Sequence, residues 1–170
     1  GGNKMEYCSI EEAKEIVAVK YENALTQLGL HGRFDMPKIV WRPMGVRRAG
    51  CCNYSENKIE LNSDYLKSKD WKAFLNDTPL HELAHAISWQ LYDETGHKGA
   101  WKKISLMIGL AGNRCHNFSR PEGVKVTTRT RKRYTVRCAC SEHIITSVKY
   151  NRMLKGTVYI CSKCREKVTF

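Results

Sequence analysis

Thr78-Pro79-Leu80-His81-Glu82-Leu83-Ala84-His85-Ala86-Ile87 is the stretch on which the reading of this chain turns. Pro79 suits the first turn of a helix, where its missing N–H costs little. Leu80, Leu83, Ala84, Ile87 and Leu91 give that helix an apolar face. His81 and His85 are four residues apart, so their imidazoles rise from one face and can reach a single metal ion. Glu82 projects about 100° away, which keeps it off the metal but near a water there, the place of a general base. Histidine pairs on helices also occur as satisfied core residues. The apolar opposite face and a third histidine in a suitable loop favour the metal.

The third ligand must return after the helix ends. His97 directly follows Gly96, leaving room for the rest of the helix and a reversal. His116 competes from beyond a further helix, and His31 and His143 fall in other elements. Three protein ligands and an open fourth position describe a catalytic zinc. Such an ion lowers the pKa of a water toward ~7 and polarises a scissile carbonyl. Glu82 would take the proton and pass it to the leaving amine. A donor to the oxyanion is also required, with His116 and Tyr54 as candidates.

Outward from this site, Ser9 and Glu12 form a capping box ahead of Ile10, Ala13, Val17, Tyr21, Leu25 and Leu28, which predicts a helix stopped by Gly29. Residues 38–41 lie between Pro37 and Pro43 and read as a strand, and residues 51–62 as a hairpin. Short helices are expected over 70–75 and 100–110. From Val124 the pattern changes to short alternating runs at 124–128, 134–136, 144–148 and 157–160, suggesting a small antiparallel β-module. The expected organisation is a domain over 1–118 followed by a module over 119–170.

Charge divides the same way. The formal net charge is +12, yet residues 1–118 carry 16 Lys+Arg against 14 Asp+Glu, and residues 119–170 carry 13 against three. So basic a segment suits a polyanion, most simply nucleic acid. Cys138 and Cys140, then Cys161 and Cys164, form two close pairs, the pattern of a four-ligand structural zinc in a zinc ribbon. The fourth ligand is Cys138 or His143, with Cys138 slightly favoured. A module this small has little core and needs its metal to fold. Arg129, Arg131, Lys132, Arg133, Arg137, Lys149, Arg152 and Lys155 surround these pairs, interleaved with Tyr134, Tyr150 and Tyr159. That composition suits a nucleic-acid backbone and its exposed bases, although such tyrosines more often pack in a core. Cys8, Cys51, Cys52 and Cys115 read as buried thiols. No run approaches the ~20 apolar residues of a membrane span, and Gly1-Gly2-Asn3-Lys4-Met5 has no signal-peptide character. The expected home is the cytoplasm, or the nucleus in a eukaryotic source.

These residues resemble the SprT-like family, the metallopeptidases that include Spartan. Ala49-Gly50 followed by Ile59-Glu60-Leu61-Asn62 resembles the family's hairpin, and His81-Glu82-Leu83-Ala84-His85-Ala86 its active-site motif. Gly96-His97-Lys98-Gly99-Ala100-Trp101 is similar to the family's His-Gly-x-x-Trp/Phe segment, with Lys98 where glycine is usual. Cys115-His116-Asn117-Phe118 resembles the Thr-His-Gln-Phe of bacterial members. The run from Val136 through Cys138, Cys140 and His143 to Cys161 and Cys164 fits the same branch.

The resemblance implies an α+β fold, a zincin-like metallopeptidase domain with an active-site helix and small sheet, followed by the zinc ribbon. It supports His97 as third ligand. For eukaryotic relatives it implies DNA-dependent proteolysis of proteins crosslinked to DNA, with little sequence preference. The resulting expectation is a monomeric, nucleoid-associated endopeptidase with one catalytic and one structural Zn2+. Its partners would be single-stranded or junction-containing DNA and the proteins on it. Two alternatives are a nucleic-acid-binding regulatory protein with a vestigial peptidase site, and a general peptidase whose basic module meets acidic proteins.

Overall fold

A computed structural model describes residues 7–126 and 130–170. Gly1 to Met5, Arg129, and the Thr127–Thr128 part of the strand expected at 124–128 lie outside the described residues. Residues 124–126 form no strand. Among the described residues the fold is mixed α+β, with four α-helices and two small sheets. Two compact units, Gly1–Val126 and Thr127–Phe170, make up the chain. The division falls later than the composition shift at 118/119 because the intervening residues are tied back onto the first unit. Ser119 N–H donates to Asp70 Oδ2 (2.6 Å), the Ser68 hydroxyl to the Ser119 carbonyl (2.7 Å), and Glu122 N–H to the Lys67 carbonyl (3.1 Å).

The first unit opens with helix α1, Ile10–Leu28. Ser9 caps it by accepting from Glu12 N–H, and Gly29, in the left-handed conformation, ends it. Strand β1, Lys38–Arg42, and the hairpin of β2, Gly50–Asn53, and β3, Lys58–Asn62, follow. The sheet order is β1-β3-β2, with β1 parallel to β3 and β2 antiparallel to it.

After a 3-10 turn, Ser63–Lys67, helix α2 runs unbroken over Trp71–Tyr92. It joins the two helical stretches expected from the sequence. Pro79 therefore lies inside a helix, where it forfeits one backbone hydrogen bond. Its ring is fully buried and its carbonyl accepts the Tyr21 hydroxyl (2.9 Å). α2 packs against α1, β2, β3 and helix α3, Ala100–Met107, so it is apolar nearly all round. Phe74, Leu75, Leu83, Ala84 and Ile87 form the centre of the core with Ile59, Leu61 and Trp101.

The second unit pairs β4, Arg133–Arg137, with β5, Glu142–Thr146, in an antiparallel ribbon. It is not the all-β module expected. Helix α4, Ser147–Leu154, begins where the alternation at 144–148 suggested strand, and 157–160 keeps only an isolated bridge between Ile160 and Lys167. Thr146 caps α4 by accepting from Lys149 N–H, Met153 is buried, and Tyr150 stacks on Tyr134 with centroids 3.8 Å apart. Among the described residues no helix is long and apolar enough to cross a membrane.

Candidate functional site

His81 and His85 rise from one face of α2, and His97 meets them from the turn between α2 and α3. Asp93 and Gly96 in left-handed conformations reverse the chain there, while Glu94 accepts from Ala100 N–H (2.8 Å) at the start of α3. The Nε2 atoms of His81 and His97 are 3.0 Å apart, and those of His85 and His97 3.1 Å. These spacings approach the roughly 3.3 Å edge of a tetrahedron about an ion held at ~2.0–2.1 Å. Burial, with neighbouring imidazoles, pushes His81 down to about 4 and His85 to about 3. The rings are therefore neutral, with lone pairs converging on one point. Such donors fit a cation, and the three histidines can hold a metal ion.

The hollow they face has a volume of about 620 Å³. Glu82 lines it and is only 7% exposed. Burial pushes its carboxyl up to about 8, against the Arg48 guanidinium and the Cys52 backbone N–H and with help from Asp77. A divalent ion alongside would restore the carboxylate. Gly50 makes the close approach of β2 to α2 possible. A Cβ there would lie 2.8 Å from Thr78 Cγ2 and 3.0 Å from Glu82 Cγ.

Three further side chains complete the hollow. Tyr54 Oη lies 3.3 Å from His85 Nδ1. With Nε2 turned to the ion, Nδ1 carries the proton and donates to that hydroxyl, which orients the ring. Tyr54 is thus engaged with a candidate ligand through its oxygen, while its own O–H is left to donate. Trp101 floors the site, its ring centroid 4.6–5.4 Å from those of all three histidines and its indole N–H donating to the His81 carbonyl (3.3 Å). His116 is outside the triad but lines the same hollow. It stacks on Phe118 with centroids 4.3 Å apart, and its Nδ1 accepts Phe118 N–H (3.3 Å). That bond leaves Nε2 as the N–H donor of a ring that burial keeps neutral, Asp77 opposing.

His31 is elsewhere, on the surface beside Thr26 and Glu22. Cys51, Cys52 and Cys115 also line the hollow; Cys51 and Cys52 are half-buried and Cys115 is exposed, in place of the buried thiols expected, because all three face this open hollow.

In the second unit the sulfurs of Cys138, Cys140, Cys161 and Cys164 all lie within 4.8 Å of one another, a group that can hold a second ion. Cys138 and Cys140 are 3.5 Å apart, Cys140 and Cys161 3.8 Å. His143 Nε2 is 3.1 Å from Cys138 Sγ. The structure therefore assembles both alternatives for the fourth ligand, with the histidine in hydrogen-bond contact with the thiol. That contact, against burial and with backbone N–H groups of Cys140 and Ser141, lowers Cys138 to about 5. The cluster is compatible with a zinc-binding module.

Arg131, Lys132, Arg133, Arg137, Lys149, Arg152 and Lys155 are all exposed on the second unit. Arg137 pairs with Glu142 (2.8 Å). Lys132 lies over the Tyr134 ring and Lys149 over Tyr159. Tyr134 and Tyr150 stack on each other, and Phe170 meets Tyr150 edge-on.

Fold and site together define an α+β protein with a three-histidine centre able to hold a metal ion beside a buried carboxyl, and a separate four-cysteine group. The chain belongs to the SprT-like family, whose profile matches residues 20–129. It is 29% identical to Protein SprT of Pseudomonas putida (strain KT2440) over 165 residues, 94% of each chain. Its identity is 32% to Protein SprT of Pseudomonas paraeruginosa (strain PA7), covering 81% of this chain and 82% of the relative. For Protein SprT of Enterobacter sp. (strain 638) the identity is 30%, with 84% of each covered. No solved structure matches. Family membership suggests a metallopeptidase-like role.

Proposed function

We propose that the protein is a zinc-dependent endopeptidase with a zincin-like catalytic unit, acting on proteins associated with or crosslinked to DNA. The observation that carries the peptidase reading is the convergence of His81, His85 and His97 nitrogens in one hollow with the buried carboxyl of Glu82. His81, His85 and His97 would hold the zinc, which would supply Lewis acidity toward a water and the scissile carbonyl. Glu82 accepts the proton of the attacking water and returns it to the leaving amine. His116, with Nε2–H free to donate, stabilises the oxyanion. Tyr54 holds His85 in its orientation, and Trp101 fixes the three rings from below.

The DNA half of the proposal is supported by the +10 balance of residues 119–170 and by the exposure of the lysines and arginines among their described residues. On this reading the second unit is a zinc ribbon that binds single-stranded or junction DNA and brings proteins on it within reach. The protein then works as a nucleoid-associated monomer. Each phosphate contact would steepen the salt dependence of that binding.

The test is cleavage of a DNA-bound protein by the zinc-loaded chain, with single-stranded, duplex or no DNA, against Glu82→Gln. DNA-stimulated cleavage lost in Glu82→Gln supports both halves. Cleavage indifferent to DNA removes the coupling, and DNA binding without cleavage transfers the function to a nucleic-acid-binding regulator.

A further inference from the structure

The near-neutral balance of residues 1–118 conceals a local excess. The walls of the histidine hollow carry Arg47, Arg48 and Arg114, against only Asp77 and Glu82 among acids. The arginines come from two separate segments, the loop between β1 and β2 and the stretch after α3. Both guanidinium-bearing residues line the same hollow as Glu82 and the three histidines.

The loop bearing Arg48 is fixed at its backbone. Fully buried Asn62 accepts Met44 N–H through Oδ1 (3.0 Å) and donates through Nδ2 to the carbonyls of Gly45 and Arg48 (both 2.7 Å). Asp64 Oδ2 accepts Gly45 N–H and the Tyr65 hydroxyl donates to the Val46 carbonyl, each at 3.0 Å. The side chains of Arg48 and Arg114 are exposed, and neither guanidinium makes a hydrogen bond or ion pair among the described residues. A pinned backbone presenting an uncommitted fork is arranged for an outside anion.

Resting on the peptidase reading of this hollow, we propose that Arg48 and Arg114 select peptide segments carrying acidic side chains beside the bond to be cut. A carboxylate matches the guanidinium fork, and a hollow of about 620 Å³ has the size of a small-ligand pocket, which admits a peptide segment but not a duplex. The choice also suits a substrate on DNA. Its basic residues are engaged with phosphates while its acidic segments face away and remain free. This selectivity goes beyond the loose sequence preference implied by the family resemblance.

The test uses the zinc-loaded full chain and quenched-fluorescence peptides that differ only in Glu, Gln or Lys beside the scissile bond. The Glu peptide is expected to be cut about tenfold faster than the Gln peptide, and Lys slowest. The Glu-to-Gln ratio should fall to about threefold or less in Arg48→Gln/Arg114→Gln. Equal rates in the wild type, or an unchanged ratio in the double variant, would overturn the proposal. A second reading is free of turnover: fluorescence anisotropy of the labelled Glu and Gln peptides on zinc-loaded Glu82→Gln protein. Tighter Glu binding that depends on both arginines sustains the recognition even if nothing is cleaved, an outcome that would sink the peptidase reading alone. Equal binding of the two peptides, or an oligonucleotide bound through these arginines in place of the Glu peptide, overturns it.

Discussion

The histidine centre of the first unit and the cysteine cluster of the second each gather their ligand atoms within 4.8 Å, with imidazole nitrogens as near as 3.0 Å and sulfurs as near as 3.5 Å. What surrounds them differs. Two of the histidines stand on a helix buried on nearly every side, so the fold holds them whether or not an ion is bound. The cysteines sit on loops in a unit whose buried hydrophobic side chains, among the described residues, are Val136, Met153 and Cys161. One centre is carried by a core and opens onto a hollow. The other must do the work of a core itself.

The sharpest way to break that comparison is to remove metal from the whole chain. Chelation, or Cys161→Ser, should unfold the second unit, since structural zinc contributes on the order of 10 kcal/mol to such modules. The first unit should remain folded, and amide NMR spectra would resolve the two responses. Simultaneous loss of both units would put the first unit's stability on its metal too. Next in size, Glu82→Gln should cut peptidase turnover by about 10²–10⁴-fold with metal content unchanged by elemental analysis. Tyr54→Phe removes the partner of His85 Nδ1 and should weaken zinc affinity by about 10–100-fold, measured by competition with a chelating dye. Gly50→Ala drives a methyl group into Thr78 and Glu82 and should cost about 1–3 kcal/mol in denaturant unfolding.

The smallest effect is a pH dependence. In metal-free protein Glu82 titrates at about 8, well above its unfolded value. Below the unfolded pKa both states are protonated; above it only the unfolded chain ionises freely, so stability falls as pH rises from about 4.5 to about 8. His81 and His85 act in the opposite sense. Held at about 4 and about 3, they lose stability as pH falls below about 6.5, where the unfolded chain gains protons that the folded one refuses. The metal-free unit should be most stable between these limits. Glu82→Gln should raise its melting temperature by about 3 °C or more at pH 8 and by nothing at pH 4.5.

The histidine motif was legible because helical spacing alone puts His81 and His85 on one face, and Gly96 ahead of His97 marks a reversal. The hairpin and α1 were carried by local signals of the same kind. What escaped depended on partners far along the chain. The alternation of Ile144, Thr146 and Val148 reads as strand, and only Tyr150 against Tyr134 and the burial of Met153 turn the following residues into α4. Nothing local ties Tyr54 to His85, or Arg48 to Glu82. Pro79 was read as a helix start, and the packing of its ring inside α2 let the helix run through it.

Trp101, 1% exposed beneath the three histidines, also gives the site a built-in light source. Its emission should be that of a dry indole, and a coloured ion such as cobalt in the histidine centre would quench it by energy transfer. Loading of that centre could then be followed in the intact chain against the emission of Trp41, Trp71 and Trp89, since every tryptophan lies in the unit that carries the histidines.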